Sequence, residues 1–150
     1  MPVNGLPPYD DNNIFARILR KEIPAKTVYE DEWALAFHDI APQAPVHVLV
    51  VPKGKYCSFA DFSASASAEE IAGFTRAVGK IARDLELETP GYRLLFNMGA
   101  HGGQEVPHMH VHLFGGRSLG RMIPDREPVS STPGSCSLRA GKPPAPTGGR

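Results

Sequence analysis

The spacing of apolar positions divides the chain into short strands and two helices. Phe15, Ile18 and Leu19 recur at three- and four-residue steps and predict a short helix over Ile14–Lys21, capped by Asn12 or Asn13 and stopped near Pro24. Thr27–Tyr29 and Trp33–His38 read as a hairpin across the acidic turn Glu30-Asp31-Glu32. Trp33, Leu35 and Phe37 alternate with smaller residues, which predicts a strand with one buried face. Val46–Val51 is apolar apart from His47 and ends at Pro52. From Ser63 to Leu87 the period turns helical. Ile71, Phe74, Val78, Ile81 and Leu85 form one stripe, and Ser67 with Glu70 has capping-box spacing. After the turn Thr89-Pro90-Gly91, strands are predicted at Tyr92–Asn97 and His108–Phe114, with a glycine-rich loop, Gly99–Gly103, between them.

This order predicts an α+β fold: an antiparallel sheet of about five strands, one long helix packed on it, and a short N-terminal helix. A chain of 150 residues suits one domain, burying roughly 70% of the surface its unfolded form exposes. The boundaries expected are a flexible lead-in over 1–12, a folded domain over 13–123 and a tail over 124–150. In that tail 14 of the 27 residues are Pro, Gly or Ser and none is aromatic, so it is expected to be disordered.

Composition narrows the partners. The formal net charge is zero, which gives no reason to expect nucleic acid or an acidic membrane surface. Any affinity for phosphate must then be local, built from backbone N–H groups and histidines. No apolar run approaches the ~18 residues of a membrane span, and the first residues lack the basic-then-apolar order of a secretory signal. Cys57 and Cys136 are too few and too far apart for a disulfide framework or a zinc finger, so free thiols and a cytoplasmic location are expected.

The chemistry gathers at His108-Met109-His110-Val111-His112. On a strand, alternate side chains share a face, so the three imidazoles are expected in register at steps of roughly 7 Å, with Met109, Val111 and Leu113 turned into the core. Two uses fit such a face. Two of the histidines can ligate a catalytic zinc with a third ligand from elsewhere, Glu105 being one candidate. Alternatively one imidazole is a nucleophile whose tautomer its neighbours set. The preceding segment Asn97 to Glu105 favours the second use, because glycines allow backbone N–H groups to turn toward an anion.

The run His108 to Phe114 resembles the signature of the histidine triad (HIT) family, His-x-His-x-His followed by apolar residues. The resemblance extends through Ile14-Phe15, Glu22-Ile23-Pro24-Ala25, Phe37-His38-Asp39-Ile40 and Pro42 to His47, covering about Asn13 to Pro124. It looks like the Hint branch, the purine nucleoside phosphoramidases. It implies His110 as nucleophile on the α-phosphorus, His112 against the phosphate, and His108 with His47 as a hydrogen-bonded relay. Asp39 is implied to hold the ribose hydroxyls, and Ile14, Phe15, His38 and Ile40 to enclose the base. Asn97 and the backbone of Gly103, Gln104, Glu105 and Val106 are implied to hold the phosphate and leaving group. A homodimer joining two five-stranded sheets is implied as well. Glu105 replaces a serine common in animal members, and Pro107 is more typical of the dinucleoside-polyphosphate branch and lacks a backbone donor.

The expected activity is hydrolysis of purine nucleoside 5′-phosphoramidates to the monophosphate, with no metal and no cofactor. The competing expectations are dinucleoside polyphosphate hydrolysis by the same nucleophile, and a nucleotide-binding regulatory module whose turnover is incidental.

Overall fold

In a computed structural model, which describes residues 2–124, the chain orders as α1 (Ile14–Leu19), β1 (Thr27–Glu30), β2 (Ala34–His38), β3 (Val46–Pro52), α2 (Phe59–Ser65), α3 (Ala68–Asp84), β4 (Arg93–Phe96), α4 (Gly99–Gly102) and β5 (Val111–Gly115). The sheet is antiparallel throughout, in the order β1-β2-β3-β5-β4, so β5 inserts between β3 and β4 and leaves β4 at an edge. The predicted α+β class and five-stranded sheet are both found.

Contacts divide the chain into Met1–Leu119 and Gly120–Arg150, somewhat short of the boundary expected near residue 123. Of the second unit only residues 120–124 are described, and they form no helix or strand. The expectation of a disordered tail falls beyond Pro124, outside the described residues.

Both faces of the sheet are covered, which corrects the one-sided reading of β2. Ala34 and Ala36 lie in a cluster with Val48, Val50, Val111, Leu113 and the α3 residues Phe74, Val78 and Ile81. Leu35 and Phe37 belong to a second cluster on the other face, with Leu49, Val51 and the α1 residues Phe15 and Ile18. The short alanines let α3 approach one side while the bulkier residues meet α1 on the other. Fully burying a side chain the size of Leu or Phe is worth about 1.5–3 kcal/mol, so both layers contribute to holding the central strands.

The helical stretch expected from Ser63 to Leu87 is broken. Ser67 caps α3: its Oγ accepts the Glu70 N–H at 3.0 Å, and Glu70 Oε1 accepts the Ser67 N–H at 2.9 Å. That box requires extended backbone at Ser67 (φ −70°, ψ 161°), so the preceding turn cannot continue through it. α2 is a separate helix with its own box, from Ser58 and Asp61.

The lead-in is not loose. Val3 N–H donates to the Gln104 carbonyl at 2.8 Å, Ser58 Oγ donates to the Gly5 carbonyl at 2.7 Å, and Tyr9 reaches His108. Gly5 is required here: its φ is +70°, and a Cβ would stand 2.6 Å from Gln104 Oε1. Composition suggested flexibility, but backbone groups anchored on the domain override it.

Candidate active site

The register of β3 with β5 sets His47 opposite Phe114 and Leu49 opposite His112. With a side-chain period of two, His47 and His112 project on the α1 face, while Val111 and Leu113 enter the cluster beneath α3. His110, just before β5, meets His112 at 5.1 Å between ring centroids, and Phe15 of α1 meets His110 edge-on at 4.9 Å. Asp39, following β2, brings Oδ2 to 3.4 Å from His47 Nε2. Phe15, Asp39, His47, His110 and His112 are thus assembled as one group.

The His108 ring finds different partners from the other two. Regular pairing begins only at Val111, because the His108 N–H is used on the Val106 carbonyl and the Met109 N–H on the Tyr56 carbonyl, both at 2.8 Å. The His108 ring is fully buried, with Nε2 3.0 Å from the Pro52 carbonyl and Nδ1 2.5 Å from the Tyr9 hydroxyl. The relay expected between His108 and His47 side chains is therefore not formed. His108 acts instead through its main-chain carbonyl, which accepts from His110 Nδ1 at 2.7 Å.

Backbone partners fix where the protons sit. A carbonyl can only accept, so His110 carries its proton on Nδ1 and leaves Nε2 with a bare lone pair. The Gln43 N–H can only donate, at 3.1 Å to His47 Nδ1, so neutral His47 carries its proton on Nε2. That proton faces His112 Nδ1 at 2.9 Å, which in turn places the His112 proton on Nε2. The result is one imidazole nitrogen ready to attack beside another ready to donate.

Burial keeps these rings neutral. It lowers His108 to about 4, with His110 adding to the effect, and lowers His112 to about 4, aided by repulsion from His110 and His47. Burial also lowers His110 and His47, against an opposing pull from the Asp39 carboxylate on each. At neutral pH the His110 lone pair is available. Asp39, His47 and His112 present ligand atoms within 4.8 Å of one another and are the set that could hold a metal ion. A cation there would displace the proton shared between the two rings.

The glycine loop is less open to an anion than expected. Gly99–Gly102 forms α4, and Gly103 turns the chain at φ +77°. Gly103 N–H donates to the Ala100 carbonyl at 3.0 Å and Gln104 N–H to the Gly99 carbonyl at 3.1 Å, so neither is free for phosphate. The buried Gln104 amide is a clasp: Oε1 accepts from Gly99 N–H at 2.9 Å, and Nε2 donates to the Cys57 and Val106 carbonyls at 2.8 and 3.0 Å. Gly103 and Gln104 therefore shape the loop rather than face a ligand. Asn97 is half-buried behind Gly102, Glu105 is exposed, and Val106 packs on the α1-side cluster.

Of the expected base slot, Phe15 alone is packed; Ile14, His38 and Ile40 are exposed, Ile40 to 98%. A largely apolar recess is lined by Ile18, Lys21, Ile23, Pro24, Ala25, Thr27 and Leu35. Ile18 belongs to the core cluster under α1, and Ile23 packs against it from beyond the helix. Tyr9 was missed for lack of any local signal. His101 is exposed on α4 and takes no part in this group.

Comparison with known proteins agrees with this geometry. The model of the HIT domain matches residues 20–119. An uncharacterized 13.2 kDa HIT-like protein of Azospirillum brasilense is 62% identical over 115 residues, 77% of this chain and 94% of that protein. The purine nucleoside phosphoramidase of Escherichia coli K12 is 42% identical over 113 residues, 75% of this chain and 94% of that protein. Among solved structures, a HIT family hydrolase from Clostridium thermocellum superposes with a TM-score of 0.70 at 38% identity, covering 77% of this chain and 99% of that one. With the family model spanning well over half its length and the triad assembled around His110, this chain belongs to the histidine triad (HIT) family.

Proposed function

We propose that this protein is a nucleotide hydrolase acting on purine nucleoside 5′-phosphoramidates, with His110 as its nucleophile. The observation that carries the reading is the His110 ring itself: neutral, its Nδ1–H held by the His108 carbonyl, its Nε2 bare. The name of the E. coli relative supports the substrate class.

In this reading Nε2 attacks the α-phosphorus as the P–N bond to the leaving amine breaks, and the amine departs with a proton drawn from solvent. His112 Nε2–H donates to a phosphoryl oxygen on which charge develops. Water then attacks the nucleotidyl-histidine, the P–Nε2 bond breaks, and the monophosphate leaves with His110 restored. Asp39 accepts from the ribose hydroxyls, and the base lies against Phe15, with Ile14, His38 and Ile40 closing over it. Glu105 and Val106 are left to face the leaving group. The mechanism uses neither metal nor cofactor.

The reading includes a two-fold homodimer. It is supported by β4, an edge strand within this chain, whose Leu94 and Phe96 are 43% and 41% exposed. An edge strand leaves backbone groups unpaired, and pairing with a second copy would satisfy them while covering the two bare side chains.

The direct test is monophosphate release from adenosine 5′-phosphoramidate beside diadenosine polyphosphate, with and without a chelator. Chelator-resistant turnover preferring the phosphoramidate is expected. Preference for the polyphosphate, or tight monophosphate binding without turnover, would replace this reading with one of its two competitors.

A further inference from the structure

The lead-in carries a phenol into the site, across 99 residues of sequence, and its contacts leave little freedom in how the protons are arranged. His108 Nε2 faces the Pro52 carbonyl, which can only accept, so the proton of the neutral ring lies on Nε2 and Nδ1 is a bare lone pair. Only a donor satisfies that lone pair, and the Tyr9 hydroxyl stands 2.5 Å away, with the rings edge-on at 5.6 Å between centroids. Tyr9 is held in place from both sides. Toward the N-terminus are the anchors at Val3 and Gly5, and toward α1 the Asn13 N–H donates to the Asp10 carbonyl at 3.1 Å. The His108 carbonyl is the group from which the His110 ring hangs.

We propose that Tyr9 is a positioning residue for the nucleophile: its hydroxyl fills the remaining lone pair of His108, holds that ring against the Pro52 carbonyl, and so fixes the main-chain carbonyl that orients His110. The inference rests on the reading of His110 as nucleophile. Without the hydroxyl, a fully buried ring nitrogen is left unpaired. A buried acceptor in that position has lost water and gained no donor in its place. His108 relieves that loss by rotating or by taking up a proton, and either change moves the carbonyl beneath His110.

The test is Tyr9→Phe in the full-length protein, which keeps the ring and removes one oxygen. Long-range proton–nitrogen NMR of the resting enzyme should show His108 protonated on Nε2 alone and His110 on Nδ1 alone. In Tyr9→Phe both fixed patterns should be lost, while the thermal midpoint shows that the protein still folds. Turnover of the phosphoramidate should fall about tenfold in kcat with KM within about twofold, as expected of lost orientation rather than lost binding. Native nitrogen patterns in Tyr9→Phe would overturn the inference whether or not the enzyme turns over. A loss of kcat with those patterns intact would also overturn it. Altered patterns in a protein that never hydrolyses a phosphoramidate would instead leave Tyr9 as the anchor and remove the proposed activity.

Discussion

His47 Nε2 stands 2.9 Å from His112 Nδ1 and 3.4 Å from Asp39 Oδ2, so a single N–H faces both a neighbouring imidazole and a carboxylate. The shorter contact is to His112, and Asp39 also accepts the Ala41 N–H at 2.8 Å, which holds the carboxylate beside the rings. Replacing His47 by Ala removes the donor that sets the His112 tautomer. We expect kcat to fall about tenfold or more, because the unpaired nitrogen costs about 1–3 kcal/mol and the ring is free to reverse its donor. A His47→Ala enzyme with native kcat would show that His112 needs no such partner.

His110→Ala should lower turnover by about four orders of magnitude or more, since it removes the group that forms the covalent bond. Rapid quenching with substrate followed by intact-mass measurement should detect a nucleotidyl adduct on the native protein and none on the variant. An adduct persisting in His110→Ala would move the nucleophile elsewhere.

Acid should destabilise the protein through its buried rings. His108 and His112 are held down at about 4, chiefly by burial, against an ordinary value near 6.5. Between those values the unfolded chain binds more protons than the folded one, so their contribution is complete above about pH 6.5 and is lost as pH falls toward 4. Within that window each ring makes the folded state weaker as pH falls. Urea midpoints should therefore drop on going from about pH 7 to about pH 5, and drop less in His108→Gln. Equal midpoints in the native protein at the two pH values would contradict the burial argument.

The β4 edge offers a test of assembly. Phe96 is 41% exposed and lies 4.6 Å from Phe59 between ring centroids, so a charge there meets an apolar patch. Phe96→Asp should convert a dimer to a monomer in sedimentation velocity, with the fold retained by circular dichroism. A native protein that sediments as a monomer at micromolar concentration would rule out the proposed homodimer.

The strands and α3 were legible because their signals are local. The alternation in β2, the apolar run of β3 and the Ser67–Glu70 box each involve only neighbouring residues. The break before α3 was in principle visible in the same box, since a cap marks a beginning. α2 offered only Phe59 and Phe62 and was lost. Among site residues, the spacing of the histidines put His110 and His112 on one face, whereas the contact of His112 with His47 depends on strand register. The partners of the His108 ring, Pro52 and Tyr9, are likewise distant in sequence. The backbone of Gly103 and Gln104 was expected to face phosphate, and its use on the Ala100 and Gly99 carbonyls depends on the turn of α4, which spacing alone does not encode. Tyr9 depends on a contact that no local pattern encodes.

The hydrogen-bonded runs that set the four imidazoles begin or end on main-chain groups: the Gln43 amide at one end, and the Pro52 and His108 carbonyls at the others. A side-chain replacement can interrupt such a run and free the rings beyond the break, but cannot reverse the end from which it starts, because an N–H cannot accept and a carbonyl cannot donate. Proton placement is therefore inherited from the path of the chain. Position 43 can vary freely in side chain while remaining indispensable as an amide, and proline is the residue it cannot become.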